Sequence, residues 1–353
     1  MPKELYLLVG DKDFYGQARK PWVPLSTKLL VQSLTERGYK VHKHHYHELA
    51  NSSVIIRDSI VLYSFSQIPN MRLFLKDLIW HLRRLGNLVI PSWDFLLCHE
   101  NKGYQELLKR ELGIDQPKGW YLSNLDALSS YKLSYPLVLK GLEGSNSTQV
   151  SLVHNEAELR QSVKAMTKQH GFLTKFDLFR RRYLRGKREF GGWPTVLPEV
   201  DSVQYAEYIK AQKRFILQEF VPGLDSDYRV IVFWDKFYVS RRMTKPGDWR
   251  ASGAKLFTFS KDFPRELLDR TLEVHKIMPS PLISVDLGWK DGKVYLFEFQ
   301  ASHMGMNAVV KNDGYFVQDG TGWSFKERDS SLEADIARAV DLFLQNTYPD
   351  RLN

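Results

Sequence analysis

The most constraining feature of this sequence is the segment Ser284–Ser302, in which two alternating apolar runs flank Lys290-Asp291-Gly292. Alternation of this kind, interrupted by turn-forming residues, predicts a β-hairpin. Each run carries one acidic residue, Asp286 or Glu298. Glu298 stands between two phenylalanines, where an unpaired charge is costly. The hairpin therefore has to provide its carboxylates with a partner, either a basic side chain or a cation.

The length of the turn decides whether the two carboxylates can act together. A two-residue turn at Asp291-Gly292 would place them on opposite faces. A three-residue loop, with Gly292 in the left-handed conformation, pairs Asp286 with Leu296 and brings both carboxylates and the amide of Gln300 onto one face. We predict this three-residue loop. Diagonal neighbours about 7–8 Å apart at Cα can share a hard cation such as Mg²⁺, and a satisfied salt bridge is the alternative.

Length and composition limit the class of protein. The chain has 353 residues, 43% hydrophobic and 26% charged, which is typical of a globular protein with two or three subdomains. No run approaches the length of a membrane span, and Met1-Pro2-Lys3-Glu4 lacks an apolar signal core. A single cysteine, Cys98, excludes an intramolecular disulfide. We therefore expect a cytoplasmic protein, and the sequence does not indicate an oligomeric state.

The chain is basic, with a formal net charge of +9, so we expect an anionic partner. Much of the excess lies between Gly171 and Gly192, which holds seven Lys and Arg against two acids. Gly171–Gln204 has no clean period and is predicted to be an insertion or arm outside the core. Its stretch Arg180–Arg188, interleaved with aromatic residues, could bind nucleic acid, but no nucleic-acid-binding module surrounds it. We expect an insertion that is solvated or contacts substrate, and no nucleic-acid partner.

The N-terminal region alternates strand and helix at a spacing typical of an open α/β domain with a largely parallel sheet. We predict strands at Glu4–Val9, Tyr39–His45, Ser59–Tyr63 and Leu88–Ile90, with helices at Pro24–Arg37 and Met71–Leu85.

The remaining regular patterns predict a mixed α+β arrangement. We predict helices at Asn101–Glu111, Glu156–Gln169, Pro264–Ile277 and Leu332–Asn346, and strands at Leu137–Lys140, Val150–Val153, Phe215–Phe220, Tyr228–Phe233 and Phe237–Arg242.

Three further segments carry residues suited to binding phosphate or nucleotide. Lys140 ends an apolar strand and precedes a small-residue loop, a combination that can hold phosphates. Gln218–Asp225 is a strand that breaks at Pro-Gly and then presents a carboxylate. Arg241, Lys245 and Arg250 occur within ten residues, and guanidinium groups match phosphoryl oxygens. An exposed strand end, an ordinary turn and a solvated basic hairpin are the respective alternatives.

Taken in order, these pieces resemble the ATP-grasp superfamily, in the branch of ribosomal-protein glutamate ligases and glutathione synthetases. The resemblance covers about residues 101–307. Its matching elements are Asn101-Lys102, PLVLKGLEGSNS at 136–147, ILQEFVPGLDSDYRV at 216–230, RRMTKPGDWRASG at 241–253 and SVDLGWKDGKVYLFEFQAS at 284–302.

The resemblance implies an ATP-grasp fold of three parts. Residues 1–95 would form the N-terminal α/β domain that precedes the ATP-grasp region. Residues 96–215 would form a central lid subdomain with the basic insertion 171–204. Residues 216–353 would form an antiparallel-sheet subdomain with the adenine linker and the metal site.

The resemblance also implies the cofactors ATP and Mg²⁺ and a role for each matching residue. Lys102 and Lys140 would hold phosphates, with Gly144 and Ser145 in the loop that closes over them. Adenine and ribose would contact Gln218, Glu219, Val221 and Asp225, with Val138 and Phe297 on the two faces of the base. Asp286, Glu298 and Gln300 would bind Mg²⁺, and Arg241 and Arg250 would stabilise the transferred phosphoryl group together with Lys140.

Three positions depart from the family pattern. Gln300 stands where asparagine is usual, the phosphate loop has fewer glycines, and Ala251-Ser252 replaces the polar residue after the phosphate-binding arginine.

The resemblance predicts a carboxylate–amine ligase that forms an amide through an acylphosphate. Its partners would be ATP, an amine donor and an acidic substrate, either an acidic sugar polymer precursor or an acidic peptide. An ATP-binding protein without ligase activity and a phosphotransferase are the alternatives.

Overall fold

A computed structural model of the chain describes residues 3–16, 25–143, 149–166, 172–184, 186–187, 195, 197–209, 213–251, 254, 256–301 and 304–352. The chain divides into two compact units. Unit 1 comprises Met1–Gly119, Glu143–Thr148 and Val221–Asn353, and unit 2 comprises Trp120–Leu142 and Gln149–Phe220. The division into three parts at residues 95 and 215 stays a prediction. Among the described residues, no helix is long and apolar enough to cross a membrane.

The N-terminal part of unit 1 is a parallel sheet in the order β2-β1-β3-β4. Its strands are β1 (Lys3–Val9), β2 (Tyr39–His45), β3 (Ile60–Leu62) and β4 (Leu88–Ile90), and its helices are α1 (Thr27–Glu36), α2 (Tyr46–Asn51), α3 (Pro69–Arg84) and α4 (Trp93–Cys98). The predicted strands and the two long helices are confirmed, apart from Pro24, which lies outside the described residues. Helices α2 and α4 were not predicted, because six residues are too few to establish a helical period.

Helix α5 (Lys102–Glu111) follows and carries a predicted phosphate ligand at its first position. The side chain of Asn101 accepts a hydrogen bond from the backbone N–H of Tyr104 at 3.3 Å, as an N-cap does. The cap fixes where the helix begins and thereby places Lys102 in its first turn.

Unit 2 is built on a four-stranded sheet, in the order β5-β8-β6-β7 within the described chain. Its elements are β5 (Gly119–Leu122), β6 (Leu137–Gly141), β7 (Val150–Val153), α6 (Glu156–Met166), α7 (Phe172–Phe179), α8 (Pro198–Ile209) and β8 (Phe215–Glu219). Leu137, Leu139, Phe215 and Leu217 of the two central strands pack with α6 to form its core. The predicted helix Glu156–Gln169 is present to Met166, and its last three residues lie outside the described chain.

The basic insertion is helical in its described parts, although its sequence shows no clean period. Helix α7 continues into a π-helical turn, Arg180–Leu184, and α8 packs against both. Aromatic side chains recur at helical spacing along α7 and the π turn, but they are exposed, so the segment lacks the pattern of a helix that packs one apolar face on a core.

The second sheet of unit 1 is antiparallel. Seven strands are described, in the order β13-β12-β9-β10-β14-β15, with β11 paired to β10. The elements are β9 (Ser226–Phe233), β10 (Lys236–Met243), β11 (Phe257–Thr258), α9 (Glu266–Ile277), β12 (Leu282–Lys290), β13 (Lys293–Gln300), α10 (Asn307–Lys311), β14 (Gly314–Asp319), β15 (Gly322–Glu327) and α11 (Leu332–Thr347). The hairpin β14–β15 was not predicted, because its half-exposed strands lack a clear apolar alternation.

The two sheets of unit 1 share their hydrophobic core. Leu5 and Leu7 of β1 belong to one apolar cluster with Ile231 and Phe233 of β9 and Ile336 of α11. The antiparallel sheet is therefore fixed on a continuous core, and the strands β9, β10, β12 and β13 form a rigid base for the side chains described next.

Candidate functional site

The turn of the predicted hairpin has two residues rather than three. Lys290 pairs with Lys293, and the intervening Asp291 and Gly292 both have positive φ, of 50° and 76°. This is the backbone of a type I′ turn, which matches the twist of the flanking strands. The left-handed conformation of Gly292 is confirmed, and the three-residue loop is wrong.

A β-bulge nevertheless brings the two carboxylates onto one face. The register shifts between Asp286 and Leu287, so that Leu287 pairs with Leu296 but Asp286 pairs with Glu298. Phe297 is the extra residue on β13. A bulge reverses the alternation on the strand that carries it. Asp286 and Glu298 are therefore direct cross-strand neighbours, and the predicted pairing of Asp286 with Leu296 is wrong.

The close approach of Phe297 to β12 requires a glycine opposite its ring. A Cβ placed on Gly288 would lie 2.7 Å from Cζ of Phe297 and 3.0 Å from Cδ1 of Leu224. Real Cβ contacts are essentially never as short as the first of these, so Gly288 makes room for the bulged side chain. A glycine two residues after Asp286 was the feature of the sequence that could have indicated the bulge.

Asp286 is held by two arginines that the sequence analysis did not assign. Arg229 donates from Nε to Oδ1 at 2.8 Å and from Nη2 to Oδ2 at 2.9 Å. Nη2 of Arg242 also lies 2.9 Å from Oδ2, and Arg242 donates to Asp227 as well. The result is a buried network of two acids and two arginines on β9, β10 and β12. The network could have been inferred from strand alternation, which places Asp227 and Arg229 on one face of β9, and from the arginine at position 242 of the next strand.

The electrostatics of this network favour ionised Asp286. Burial alone would raise the pKa of its carboxyl group, but the charges of Arg229 and Arg242 outweigh burial and hold the pKa well below its ordinary value. Asp286 is therefore a fixed, ionised carboxylate whose two oxygens both face guanidinium groups.

The predicted ligands Glu298, Gln300 and Lys102 lie together. Nζ of Lys102, at the start of α5, is 3.6 Å from Oε1 of Glu298. Gln300 donates from Nε2 to the same oxygen at 3.3 Å. The side chain of Glu298 is 25% exposed, so its carboxylate is open to a ligand from solvent.

This donor set matches Mg²⁺ only in part. Carboxylate and amide oxygens are the ligands that Mg²⁺ prefers, and Glu298 and Gln300 supply them side by side. Asp286 does not fit in the present arrangement, because its oxygens would have to leave two guanidinium groups first. Among the described residues, no three His, Cys, Asp or Glu side chains are grouped as a metal site. The metal role of all three residues stays a prediction.

The two arginines predicted to stabilise a phosphoryl group are each paired with an aspartate. Nη2 of Arg241 lies 3.3 Å from Oδ1 of Asp225, and its Nε donates to Ser226 at 2.9 Å. Arg250 donates from Nη2 to Asp248 at 2.9 Å. The hydrogen bond from Ser226 and the charge of Arg241 lower the pKa of Asp225, and Arg250 does the same for Asp248.

The predicted adenine linker is fixed to the hairpin at its unit 1 end. Nζ of Lys290 donates to the carbonyl of Pro222 at 2.7 Å, and Gly223 has a positive φ of 77°. Val221 is half-buried beside Pro222. Because Leu224 and Phe297 both approach Gly288, the linker also continues into the apolar contact that supports the bulge.

The remaining predicted nucleotide ligands lie in unit 2. Val138 and Gln218 are buried and pair across β6 and β8, and Nζ of Lys140 donates to Oε1 of Gln218 at 2.5 Å. Glu219 is exposed at the end of β8. The predicted loop residues Gly144 and Ser145 lie outside the described chain.

Comparisons with known proteins give fold-level matches. No family model and no curated protein matches the sequence. Among solved structures, a RimK domain ATP-grasp protein from Sphaerobacter thermophilus is 11% identical over 97% of this chain and 99% of its own, with a TM-score of 0.51. A RiPP-associated ATP-grasp ligase from Chryseobacterium gregarium is 11% identical over 99% of both chains, with a TM-score of 0.53. The macrocyclase MdnC from Microcystis aeruginosa is 11% identical over 98% of this chain and 100% of its own, with a TM-score of 0.50.

The chain has the ATP-grasp fold. The match extends over nearly the full length of both partners, so the N-terminal α/β part is included as well as the region that carries the motifs. This confirms the predicted fold class. At 11% identity the ATP-grasp neighbours establish the architecture and leave the chemistry to the residues of this chain.

Proposed function

We propose that this ATP-grasp chain is an ATP-dependent carboxylate–amine ligase that forms an amide through an acylphosphate. The observation that carries the proposal is the bulged hairpin, which sets Asp286 and Glu298 opposite each other with Lys102 beside Glu298. An irregularity that reverses strand alternation to pair two acids is typical of a functional site.

The residues proposed to contact ATP are those that the resemblance implies. Lys102 would contact phosphate, Val221 and Phe297 the base, and Asp225 the ribose. Val138, Lys140, Gln218 and Glu219 are proposed as nucleotide ligands on the same basis. Gly144 and Ser145 belong to the same proposal by sequence.

The chemistry is transfer of a phosphoryl group followed by its displacement. A substrate carboxylate attacks the γ-phosphorus, the bond to the bridging oxygen breaks and ADP leaves. An amine then attacks the acyl carbon, loses a proton and displaces phosphate. Lys140, Arg241 and Arg250 would stabilise the charge on the transferred group.

Arg241 and Arg250 are each held by an aspartate near the protein surface, a type of ion pair that exchanges at little cost. Both could therefore turn to a phosphoryl group. Mg²⁺, when bound, would neutralise phosphate charge, and Glu298 and Gln300 are the donors best suited to hold it.

The acceptor is proposed to be an acidic peptide. The net charge of +9 favours an anionic partner. Two of the ATP-grasp neighbours were solved with peptides, one with a leader and core peptide and one with the precursor peptide MdnA. An acidic sugar polymer precursor satisfies the same charge and is the alternative acceptor.

The test is ADP release during incubation with ATP, Mg²⁺ and a panel of acidic peptides and amines, with product mass as the second readout. A ligase gives a product lighter than its two substrates by one water, whereas a phosphotransferase gives a stable phosphate ester.

Glu298→Gln removes one charge beside Lys102 and is expected to lower turnover by about 10²–10³, the loss typical of one electrostatic group. Glu111→Gln, exposed on α5, is the matched control and should leave turnover unchanged. Full ADP release by Glu298→Gln would refute the site.

One observation favours a second candidate, an ATP-binding protein without ligase turnover. Both oxygens of Asp286 are committed to guanidinium groups, which is a stable end state for a carboxylate that has lost its cation. Calorimetry that shows ATP binding, combined with no ADP release across the panel, would select this candidate.

A further inference from the structure

We propose that helix α7 and the π turn after it dock this protein onto the surface of an anionic lipid bilayer. The surface is a row of four aromatic side chains, called here the aromatic ladder: Phe172, Phe176, Phe179 and Tyr183. They are 80%, 51%, 50% and 63% exposed. Four large aromatic side chains left in water on one short helical segment form a continuous apolar patch of the kind that marks an interaction site.

The ladder is one face of the segment. Its members are spaced by four, three and four residues, which places them one above another on a helix. The rings confirm the alignment: Phe172 stacks on Phe176 with centroids 6.5 Å apart, and Phe179 contacts Tyr183 at 5.1 Å. With a rise of 1.5 Å per residue, the row is about 16 Å long.

The opposite face of the segment is anchored within unit 2. Arg181 donates to Asp177 at 3.0 Å and to Asp201 of α8 at 3.2 Å, and its guanidinium lies 3.6 Å from the ring centroid of Tyr205. One arginine thus joins α7 to α8 through two carboxylates and an aromatic ring. This contact turns the ladder away from α8 and toward solvent.

Basic residues border the ladder on both sides. By helical position, Lys175 and Arg182 lie along one flank and Arg180 along the other, and all three are exposed. Arg180 also donates from Nε to Asp177 at 3.0 Å, an exposed ion pair that exchanges for a headgroup at little cost. The guanidinium of Arg182 lies 5.5 Å from the ring centroid of Tyr183. An apolar face with flanking Lys and Arg is the pattern of a helix that lies in a membrane interface, where cations reach anionic headgroups while the rings enter the acyl boundary.

The shape of the surface favours a bilayer over a peptide or a nucleic acid. The aromatic side chains project as a ridge, with Phe172 80% exposed, whereas peptide recognition places aromatic anchors in grooves or adds a strand to a sheet edge. The rings of Phe179 and Tyr183 contact each other at 5.1 Å, which leaves no gap for a base. An anionic bilayer fits a convex aromatic ridge with flanking cations best, because its surface is flat, deformable and negatively charged.

The second exposed apolar face of the insertion gives a matched comparison. Val200 and Val203 of α8 are 47% and 62% exposed but lie beside the exposed Glu199. An exposed acid is repelled by anionic lipid. The proposal therefore predicts that the ladder enters the bilayer and that this face of α8 does not.

The experiment is co-sedimentation of the full chain with vesicles of phosphatidylcholine alone or with phosphatidylglycerol. Binding is expected only to the anionic vesicles. Arg180→Gln/Arg182→Gln should weaken it at least tenfold, since each basic residue near such a surface contributes about fivefold. Phe172→Ser/Phe176→Ser should also weaken it about tenfold. Two control variants should leave vesicle binding unchanged. One is Val200→Ser/Val203→Ser, and the other is Arg83→Gln/Arg84→Gln at an exposed pair on α3.

A second measurement protects the test against variants that fail to fold. Phe176→Trp keeps an aromatic ring at the ladder. Its emission, taken as the difference from the parent chain with its nine tryptophans, should shift to the blue with anionic vesicles and be quenched by brominated acyl chains. Equal binding to neutral vesicles would overturn the proposal, as would unchanged binding by the ladder variant or an unshifted spectrum. Retention of polyglutamate or of oligonucleotides without vesicle binding would also overturn it, and would assign the ladder to a polypeptide or a nucleic acid.

Discussion

The site contains two kinds of arginine–carboxylate contact, and they differ in burial. Around Asp286, Arg229 and Arg242 form a buried network on three neighbouring strands. In the segment that contains Arg250, the pair with Asp248 lies nearer the surface, with side chains 39% and 30% exposed. The buried network fixes its members in one arrangement because any unpaired charge there is costly, whereas the surface pair can exchange partners. The molecule thus separates a rigid, buried charged network from exposed ion pairs that can exchange partners.

The largest expected effect comes from breaking the buried network. Arg242→Met should lower the free energy of unfolding by about 3–5 kcal/mol, because Asp227 and Asp286 lose a shared partner inside the protein. Urea unfolding measures this value. Arg250→Met is the matched control and should change stability by less than about 1 kcal/mol. Equal losses from the two variants would contradict the contrast between the regions.

The pH dependence of stability provides a second test of the same network. The folded state holds the pKa of Asp286 well below its ordinary value. The stability that its charge provides is therefore complete above about pH 4, the pKa of an unfolded aspartate, and is lost as the pH falls toward the folded value.

Asp286→Asn should accordingly lower the urea midpoint most at pH 7, and its difference from the parent chain should shrink between about pH 4 and pH 2. Asp248→Asn, in the exposed pair, should show a small difference at every pH. If the difference in urea midpoint between Asp286→Asn and the parent chain stayed constant down to pH 2, the charge of Asp286 would not stabilise the fold.

The smallest expected effect concerns the bulge that places Asp286 opposite Glu298. Gly288→Ala would bring a Cβ within 2.7 Å of Phe297, so the ring must move. We expect a loss of about 1–3 kcal/mol in the free energy of unfolding, as for an overpacked core. Gly322→Ala in β15 is the matched control, because neither Gly288 nor Gly322 has a positive φ and the new Cβ at Gly322 would meet its nearest atom at 3.8 Å. If Gly288→Ala unfolded with the same free energy as the parent chain, the position of Phe297 would not depend on the absence of a side chain at residue 288.

Much of the fold could be predicted from the sequence, and the failures have local causes. The strands of the parallel sheet in unit 1 and the core strands of the antiparallel sheet were predicted because their apolar runs are buried along most of their length. The hairpin β14–β15 was missed because its strands are half-exposed and carry polar residues at both faces. Helix α7 was missed because its aromatic side chains do not face a core.

The residues of the candidate site were predicted better than their contacts. The motifs contained Lys102, Glu298 and Gln300, and the structure places them together. The arginines that hold Asp286 lay within the same motifs. They remained unassigned because their role depends on three strands that are distant in sequence.

The ATP-grasp architecture was predicted from the resemblance of the motifs to that superfamily. The local pattern of the sequence determined the left-handed Gly292 and the acids that the hairpin carries, because periodicity and residue type are local properties. Only the tertiary structure decided which face those acids share. A two-residue turn should have separated them, and the bulge at Phe297, accommodated by Gly288, brought them back together. Packing also decided the partners of Asp286, since the buried guanidinium of Arg242 and the half-buried one of Arg229 lie on neighbouring strands and have to be matched by carboxylates.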